Sequence, residues 1–408
     1  MQVVRNLNVL IVAQYFPPDL GGAATRAYNI AKGLSLNGCN VTVVTAFPHY
    51  PHGNIPPKYR WLPVKIEWVG KIKVMRTFMP PIKSEGFFKR LILRCTFAFT
   101  ASFALLFIRG VDVVWASSWV PGCLYSKVKQ KPLVLNVDDL TLEDLVDLEL
   151  LDEKSLSFKL GSAAYRLFYV TADALTPISA GYFQIIIKKY CVKPECIHLV
   201  RGGVDLSTFK LSLPKRESNG KFFVLYSGAF SIAYNFEQIF KAAKIIEKVD
   251  DSIEFIIQGA GELLRSMHDS VGKLDVKNVK IINKILTRAE VAELLGQADV
   301  LILPLASFYK SGKPYRGMSS KLYEYQAVGK PIICCSQGVP STYVTETCSG
   351  LVVNPGDSAA LAKVVLKLKQ NPSLCRTMGE NGRKYVEKEA SIEAVGAKAK
   401  EVFENALQ

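Results

Sequence analysis

The chain has 408 residues, 51 Lys and Arg against 36 Asp and Glu for a formal charge of +15, and 49% apolar residues. That length exceeds what one hydrophobic core serves, so two domains are expected, and the composition excludes a largely disordered chain. The nine cysteines are odd in number and lack a repeated C-x-x-C spacing, which excludes a disulfide framework or a zinc cluster and points to a reducing, cytosolic setting.

In chain order, short Val- and Ile-rich runs read as strands buried on both faces. A first series covers residues 8–13, 41–45, 71–75, 111–116, 133–137, 174–177 and 197–200; a second covers 222–227, 253–258, 279–283, 300–305, 332–335 and 350–353. The opening apolar run ends at Gln14, Tyr15 and Pro17, too short and badly flanked for a secretion signal. Helical stripes alternate with the strands, for example Ala27, Ile30, Ala31 and Leu34, then Ile239, Ala242, Ala243 and Ile246. The expected fold class is therefore α/β, with two doubly wound, Rossmann-like domains facing across a cleft. The boundaries are 1–205 and 206–385, with a link in the polar stretch 205–220 and a last segment, 386–408, open to either domain.

Ligands of such sheets bind beyond the carboxyl ends of the strands. After the first strand, Gly21 and Gly22 precede a helix whose N-terminus offers amides to an anion, or form only a tight turn. Gly228, Gly259 and Gly261 close the first two strands of the second series. The most informative stretch is 310–331, where a basic, Gly- and Ser-rich loop enters a helix expected to start near Ser320. Lys313, Arg316 and Lys321 cluster around that start and suit a diphosphate; Glu324, one turn in, suits two ribose hydroxyls. Asp138 and Asp139 end the strand 133–137 and are candidates for acting on an acceptor hydroxyl, or ordinary helix caps. His49 and His52, in a Pro-rich loop, are the rival candidates.

The block Ser320-Lys321-Leu322-Tyr323-Glu324-Tyr325, with Gly329-Lys330-Pro331, resembles the signature of glycosyltransferase family 4, the retaining enzymes of the GT-B fold. Residues 15–26 resemble its first glycine loop, and 41–60, with 45–53 at its centre, resemble a subgroup that transfers amino sugars in surface-glycan (O-antigen-like) synthesis. The resemblance implies a nucleotide-sugar donor, UDP-linked and of N-acetylated hexosamine type, on the second domain. On that domain the candidate donor contacts are Gly228, Gly259, Gly261, Lys313, Arg316, Ser320, Lys321, Leu322 and Glu324. The resemblance also implies a glycan or polyprenyl-linked acceptor on the first domain and retention at the anomeric carbon, with no metal cofactor. The sequence departs from the family at three places. Arg316 stands where the family has the first of two glutamates eight positions apart, the second matching Glu324; Ala229 and Tyr234 stand near its arginine and lysine, and Ser117-Ser118 stand in place of its histidine.

Eleven basic residues lie between Lys58 and Gly110 against only Glu67 and Glu85. Within this stretch, 87–108 is a basic turn followed by fourteen uncharged residues, too short to span a bilayer. It reads as a buried core helix or as one lying in the interface, with Lys83, Lys89, Arg90 and Arg94 drawn to anionic lipid. With a lipid-linked acceptor, the second reading places 83–109 on the inner face of the cell membrane. No nucleic-acid motif accompanies the charge, so nucleic acid is not an expected partner. A sugar-nucleotide epimerase of the same fold and a non-catalytic sugar-nucleotide or lipid-binding scaffold are the alternatives. Product analysis without acceptor separates the first, and transfer above background excludes the second.

Overall fold

The computed structural model describes residues 6–50, 53–60, 62–83, 86–211, 220–306 and 314–408. Two compact units emerge: Met1–Val146 with Leu151–Gly203 and Ile392–Gln408, and Asp147–Leu150 with Val204–Ser391. Most of the polar link, 212–219, lies outside the described residues.

The first unit runs β1 (Asn8–Val12), α1 (Gly22–Leu36), β2 (Asn40–Ala46), β3 (Val64–Val69), β4 (Ile72–Thr77), α2 (Phe87–Leu105), β5 (Val113–Ala116), α3 (Trp119–Lys129), β6 (Leu133–Val137), α4 (Thr141–Asp147), α5 (Leu156–Thr171), β7 (Ala174–Pro177) and α6 (Phe183–Lys188). Its strands are ordered β3-β4-β2-β1-β5-β6-β7, all parallel except β3, which pairs antiparallel with β4. The order reverses between β1 and β5, so the crevice at their carboxyl ends is where a ligand is expected. β5 and β6 are buried at every position, as an all-parallel centre requires.

Two readings of the sequence change here. The run 197–200 does not form a strand; only Ile197 bridges to Leu175. The carbonyls of Val200 and Arg201 are instead taken by the guanidinium of Arg26, at 2.9 and 2.7 Å. β3 was not expected, because a search for doubly buried runs misses a half-exposed edge strand. Its Ile66 and Trp68 alternate outward, a period of two visible in Val64-Lys65-Ile66-Glu67-Trp68.

The second unit runs β8 (Phe222–Ala229), α7 (Phe236–Glu247), β9 (Ile253–Ala260), α8 (Leu264–Leu274), β10 (Val279–Asn283), α9 (Arg288–Gln297), β11 (Val300–Pro304), α10 (Ser320–Ala327), β12 (Ile332–Cys335), α11 (Val339–Glu346), β13 (Gly350–Val353), α12 (Ser358–Gln370) and α13 (Pro372–Glu389). The order β10-β9-β8-β11-β12-β13, all parallel, reverses between β8 and β11. The last helix, α14 (Ile392–Asn405), returns to the first unit and packs on α1. The two helices touch backbone to backbone: a Cβ on Gly33 would lie 2.3 Å from the Ile392 carbonyl, and one on Gly396 would lie 2.1 Å from Gly33. Val395, Ala399, Val402 and Phe403 complete the core on that face of the sheet.

α2 has two apolar sides. Leu93, Phe97, Ala101, Ala104 and Leu105 recur at helical spacing and are buried. On the other side Phe88, Ile92, Phe99 and Phe103 are exposed, Phe99 by 76%. The core-helix reading therefore holds for one face, and the other is apolar and exposed. Among the described residues, no helix is long and apolar enough to cross a membrane.

Candidate functional site

In the second unit, β8 ends at Ser227-Gly228-Ala229, beside the switch point of the sheet. Gly228 leaves room for one side chain: a Cβ there would lie 2.2 Å from Cε of Lys321. The lysine stem thus passes directly over the strand end, and its Nζ donates to the Tyr234 hydroxyl at 3.1 Å. Burial works against the charge, but the Tyr234 hydroxyl and the Glu324 carboxylate outweigh it and hold the ammonium above its ordinary range. Gly259 and Gly261, at the end of β9, serve a similar purpose for backbone. A Cβ would strike the Gly228 carbonyl at 1.7 Å in the first case and the Phe230 carbonyl at 2.3 Å in the second. Gln258 fixes the register of the two strand ends by accepting from Ser227 Oγ at 2.6 Å.

α10 presents Lys321 and Glu324 from its first turns. Ser319, the capping position, makes no side-chain hydrogen bond to the helix and its carbonyl takes the Leu322 amide at 3.2 Å, so it is the amides before Leu322 that can meet an anion. Ser320 lies half-buried at that end. Leu322 is wholly buried in the core, so only its backbone can meet a ligand. Glu324 is 7% exposed rather than solvated, and its Oε1 accepts from Arg288 Nη1 at 2.7 Å. Arg316 is already ion-paired, with Asp147 of the short segment that groups with this unit, and so carries less free charge than the sequence implied. Lys313 lies outside the described residues.

Sequence reading missed Arg288 as a site residue. It opens α9 behind the Thr287–Glu290 capping box, the T-x-x-E pattern that marks a helix start. Its guanidinium also lies 4.7 Å from the Phe209 ring centre, which fixes its direction toward Glu324. Tyr234, noted only as a departure from the family, is the partner of Lys321.

In the first unit, Gly21 caps α1 with φ of 100°, a conformation glycine adopts freely, and a Cβ on Gly22 would meet open space among the described residues. Asp19, just before, accepts from the backbone amides of His49 and Tyr50, both at 2.8 Å, and so ties the loop after β1 to the loop after β2. Burial raises the Asp19 carboxyl above its ordinary range, against the opposing effects of His49 and those two amides. His49 itself is 3% exposed, stacked on Tyr15 at 5.3 Å, with Nδ1 against the Phe47 carbonyl at 2.8 Å. It is a packed loop residue in this conformation, and His52 lies outside the described residues.

The two aspartates after β6 divide. Asp138 is bound by Arg26 at 3.0 Å, and Arg26 also holds Asn136 Oδ1 at 2.9 Å, so this carboxylate anchors α1 to β6. Asp139 is the exposed member of the pair. Desolvation by the protein around it, followed by the charges of Asp138 and Asp144, raises its pKa to about 6. A carboxylate tuned toward neutrality at the end of a central strand is suited to proton transfer.

The Glycosyltransferase Family 4 profile matches residues 20–208, and the Glycosyl transferases group 1 profile matches residues 210–385. The chain belongs to glycosyltransferase family 4. A curated glycosyltransferase of Methanocaldococcus jannaschii, MJ1069, is 21% identical over 98% of this chain and 99% of its own. The chain spans about half the length of other curated relatives, such as the MMP alpha-(1->4)-mannosyltransferase of Mycolicibacterium hassiacum, at 24% identity over 57% of this chain and 54% of that one. Among solved structures, sucrose-phosphate synthase from Thermosynechococcus elongatus superposes with a TM-score of 0.76 at 17% identity, covering 98% of this chain and 99% of that one. Anabaena HepE, in complex with UDP and glucose, gives 0.66 at 16% identity, covering 98% of this chain and 100% of that one. These likenesses establish the GT-B fold of two α/β units that the strand pattern led us to expect. This family 4 member is a glycosyltransferase, and nucleotide-sugar donors bind its structural neighbours.

Proposed function

We propose that the protein transfers a sugar, of N-acetylated hexosamine type, from a UDP-linked donor to a glycan or polyprenyl-linked acceptor, with retention at the anomeric carbon. The observation that carries this reading is Lys321, laid over Gly228 at the switch point of the second sheet with Glu324 one turn on. Lys321 and the free amides of α10 neutralise the diphosphate as it leaves, which asks for no metal cofactor. Glu324, aimed by Arg288, takes the ribose hydroxyls. On the first unit, Asp139 receives the proton of the acceptor hydroxyl as the bond from the anomeric carbon to that oxygen forms and the bond to the diphosphate breaks. The exposed side of α2, with its basic first turn, supports an acceptor at the anionic, cytosolic face of a membrane. The UDP-bound state of HepE supports the choice of nucleotide.

The test is a thermal-shift screen of UDP-, GDP- and dTDP-sugars, followed by kinetics of Glu324→Ala with EDTA present throughout. We expect a UDP-sugar to give the largest shift. Loss of the Glu324 hydrogen bonds is expected to raise the donor KM by roughly 10- to 100-fold, as expected for charge-assisted bonds. Unchanged donor KM and turnover in Glu324→Ala would refute the donor role, and inactivity restored by a divalent cation would refute the metal-free reading.

A further inference from the structure

The loops after β1 and β2 hold three buried polar side chains whose hydrogen bonding is incomplete. Gln14 stands two residues past β1, and its carbonyl takes the Ala46 amide at 3.2 Å and the Thr45 hydroxyl at 3.1 Å, so it abuts the end of β2. Tyr15, next in the chain, stacks on His49, and Asp19 accepts the His49 amide. Gln14, Asp19 and His49 are 7%, 5% and 3% exposed. Yet Nε2 of Gln14, Oδ2 of Asp19 and Nε2 of His49 have no hydrogen-bond partner among the described residues. A buried polar atom left unpaired is costly, and each one in a folded chain calls for a use.

The chemistry of the three atoms narrows that use. His49 Nδ1 lies 2.8 Å from the Phe47 carbonyl, which only accepts, so in the neutral ring the hydrogen sits on Nδ1 and Nε2 keeps a bare lone pair. Asp19 Oδ1 is taken by two backbone amides, and Oδ2 lies 3.8 Å from His49 Nδ1. Gln14 Nε2 supplies a donor beside these acceptors. We infer that Gln14, Asp19 and His49 form a specificity subsite that reads the hydroxyls of an acceptor sugar. A hydroxyl donates and accepts at once, taking a hydrogen from Gln14 and giving one to His49 or Asp19. A phosphate oxygen only accepts, and here it would meet a carboxylate and a lone pair. The neighbouring cations are engaged: Arg76, 1% exposed, binds Glu67 and the Pro17 carbonyl, and Arg26 binds Asp138. Tyr50, 40% exposed, stands edge-on to Tyr15 at 5.5 Å and is the part of the cover that a sugar displaces. Aromatic walls with a few fixed polar groups are the usual make-up of a small-molecule site. This inference rests on the transfer reading above and narrows its acceptor to one that presents a sugar, not a phosphate, to the first unit. Asp139, after β6 and two strands from β1, keeps the proton-transfer role, and the cluster holds hydroxyls that do not react.

The experiment measures sugar transfer by the full chain from UDP-N-acetylglucosamine and UDP-N-acetylgalactosamine to two kinds of acceptor probe. One is a set of octyl pyranosides (glucoside, galactoside and N-acetylglucosaminide); the other is undecaprenyl phosphate. The wild type is expected to use a pyranoside and to leave undecaprenyl phosphate unmodified. Gln14→Met replaces the unpaired amide by an apolar chain of like length. His49→Asn keeps a donor for the Phe47 carbonyl but has no atom at the Nε2 position. Each variant is expected to raise the pyranoside KM about tenfold, the value of one neutral hydrogen bond, with kcat and donor KM unchanged. Gln14→Met should melt at or above the wild-type temperature, since it removes an unsatisfied buried group. Transfer to undecaprenyl phosphate alone would overturn the subsite and leave the transferase reading standing. A wild-type pyranoside KM in both variants would overturn it too, and a lowered melting temperature beside it would assign the three atoms to buried water. A donor KM raised as much as the acceptor KM would mark a general disturbance of the unit and count against the subsite. Transfer to neither probe would overturn both readings.

Discussion

Asp139 and Asp138 are adjacent in sequence yet differ in what surrounds them. Arg26 occupies Asp138, whereas Asp139 faces outward with its pKa raised to about 6. A raised carboxyl pKa means that the folded protein holds a proton that the free side chain would release at lower pH. The base form is therefore populated only above about pH 6, and kcat/KM is expected to fall about tenfold per unit below that value. In Asp139→Asn the acid limb should vanish and turnover drop by roughly 10²- to 10⁴-fold. An acid limb that persists unchanged in the variant would assign it to another group. At the donor end, Gly228→Ala would place a methyl group on the Lys321 stem and push the ammonium aside. The expected result is a donor KM raised by roughly 10- to 100-fold, the value of one charge-assisted hydrogen bond, together with a lowered melting temperature, because a side chain is strained at the Gly228 φ of 154°. A kinetically silent Gly228→Ala would mean that Lys321 does not touch the donor. The sequence carried Lys321 and Glu324 because loop and helix lie in one stretch, and Gly228 because it closes a strand-like run. It hid Arg288, whose role depends on α9 lying beside α10, a contact between segments some thirty residues apart that no local pattern records.

At the scale of elements, the doubly buried strands were readable because a short run of Val and Ile between turns is stable chiefly where both of its faces are covered. β3 was not, since an edge strand keeps one face wet and alternates instead. The run at 197–200 has the composition of a strand and sends the amides of His198 and Val200 to β7, but the Val200 carbonyl goes to a side chain, Arg26, that lies far away in sequence. α2 shows why a uniformly apolar helix is ambiguous: pattern cannot say which half faces the core. Gly396 is the corresponding sensitive point of α14, where the helix touches α1 backbone to backbone. Gly396→Val forces the two helices apart and is expected to cost about 1–3 kcal/mol, as overpacked sites do. Urea unfolding with a probe in the first unit would measure it, and an unchanged midpoint would show that the crossing has slack.

For the molecule as a whole, the return of α14 has a consequence for synthesis. The second unit is almost continuous in the chain, from Val204 to Ser391, whereas the first awaits Ile392–Gln408. On the ribosome, the earlier-made sheet therefore waits with the surface around Val9, Ile30 and Leu34 uncovered while the later-made one is translated. Val395, Ala399, Val402 and Phe403 close that surface only after the second unit has been translated. Domains usually mature in the order they are made; here the part born first is the part finished last, and its exposed apolar face is what a nascent-chain chaperone would bind in the interval.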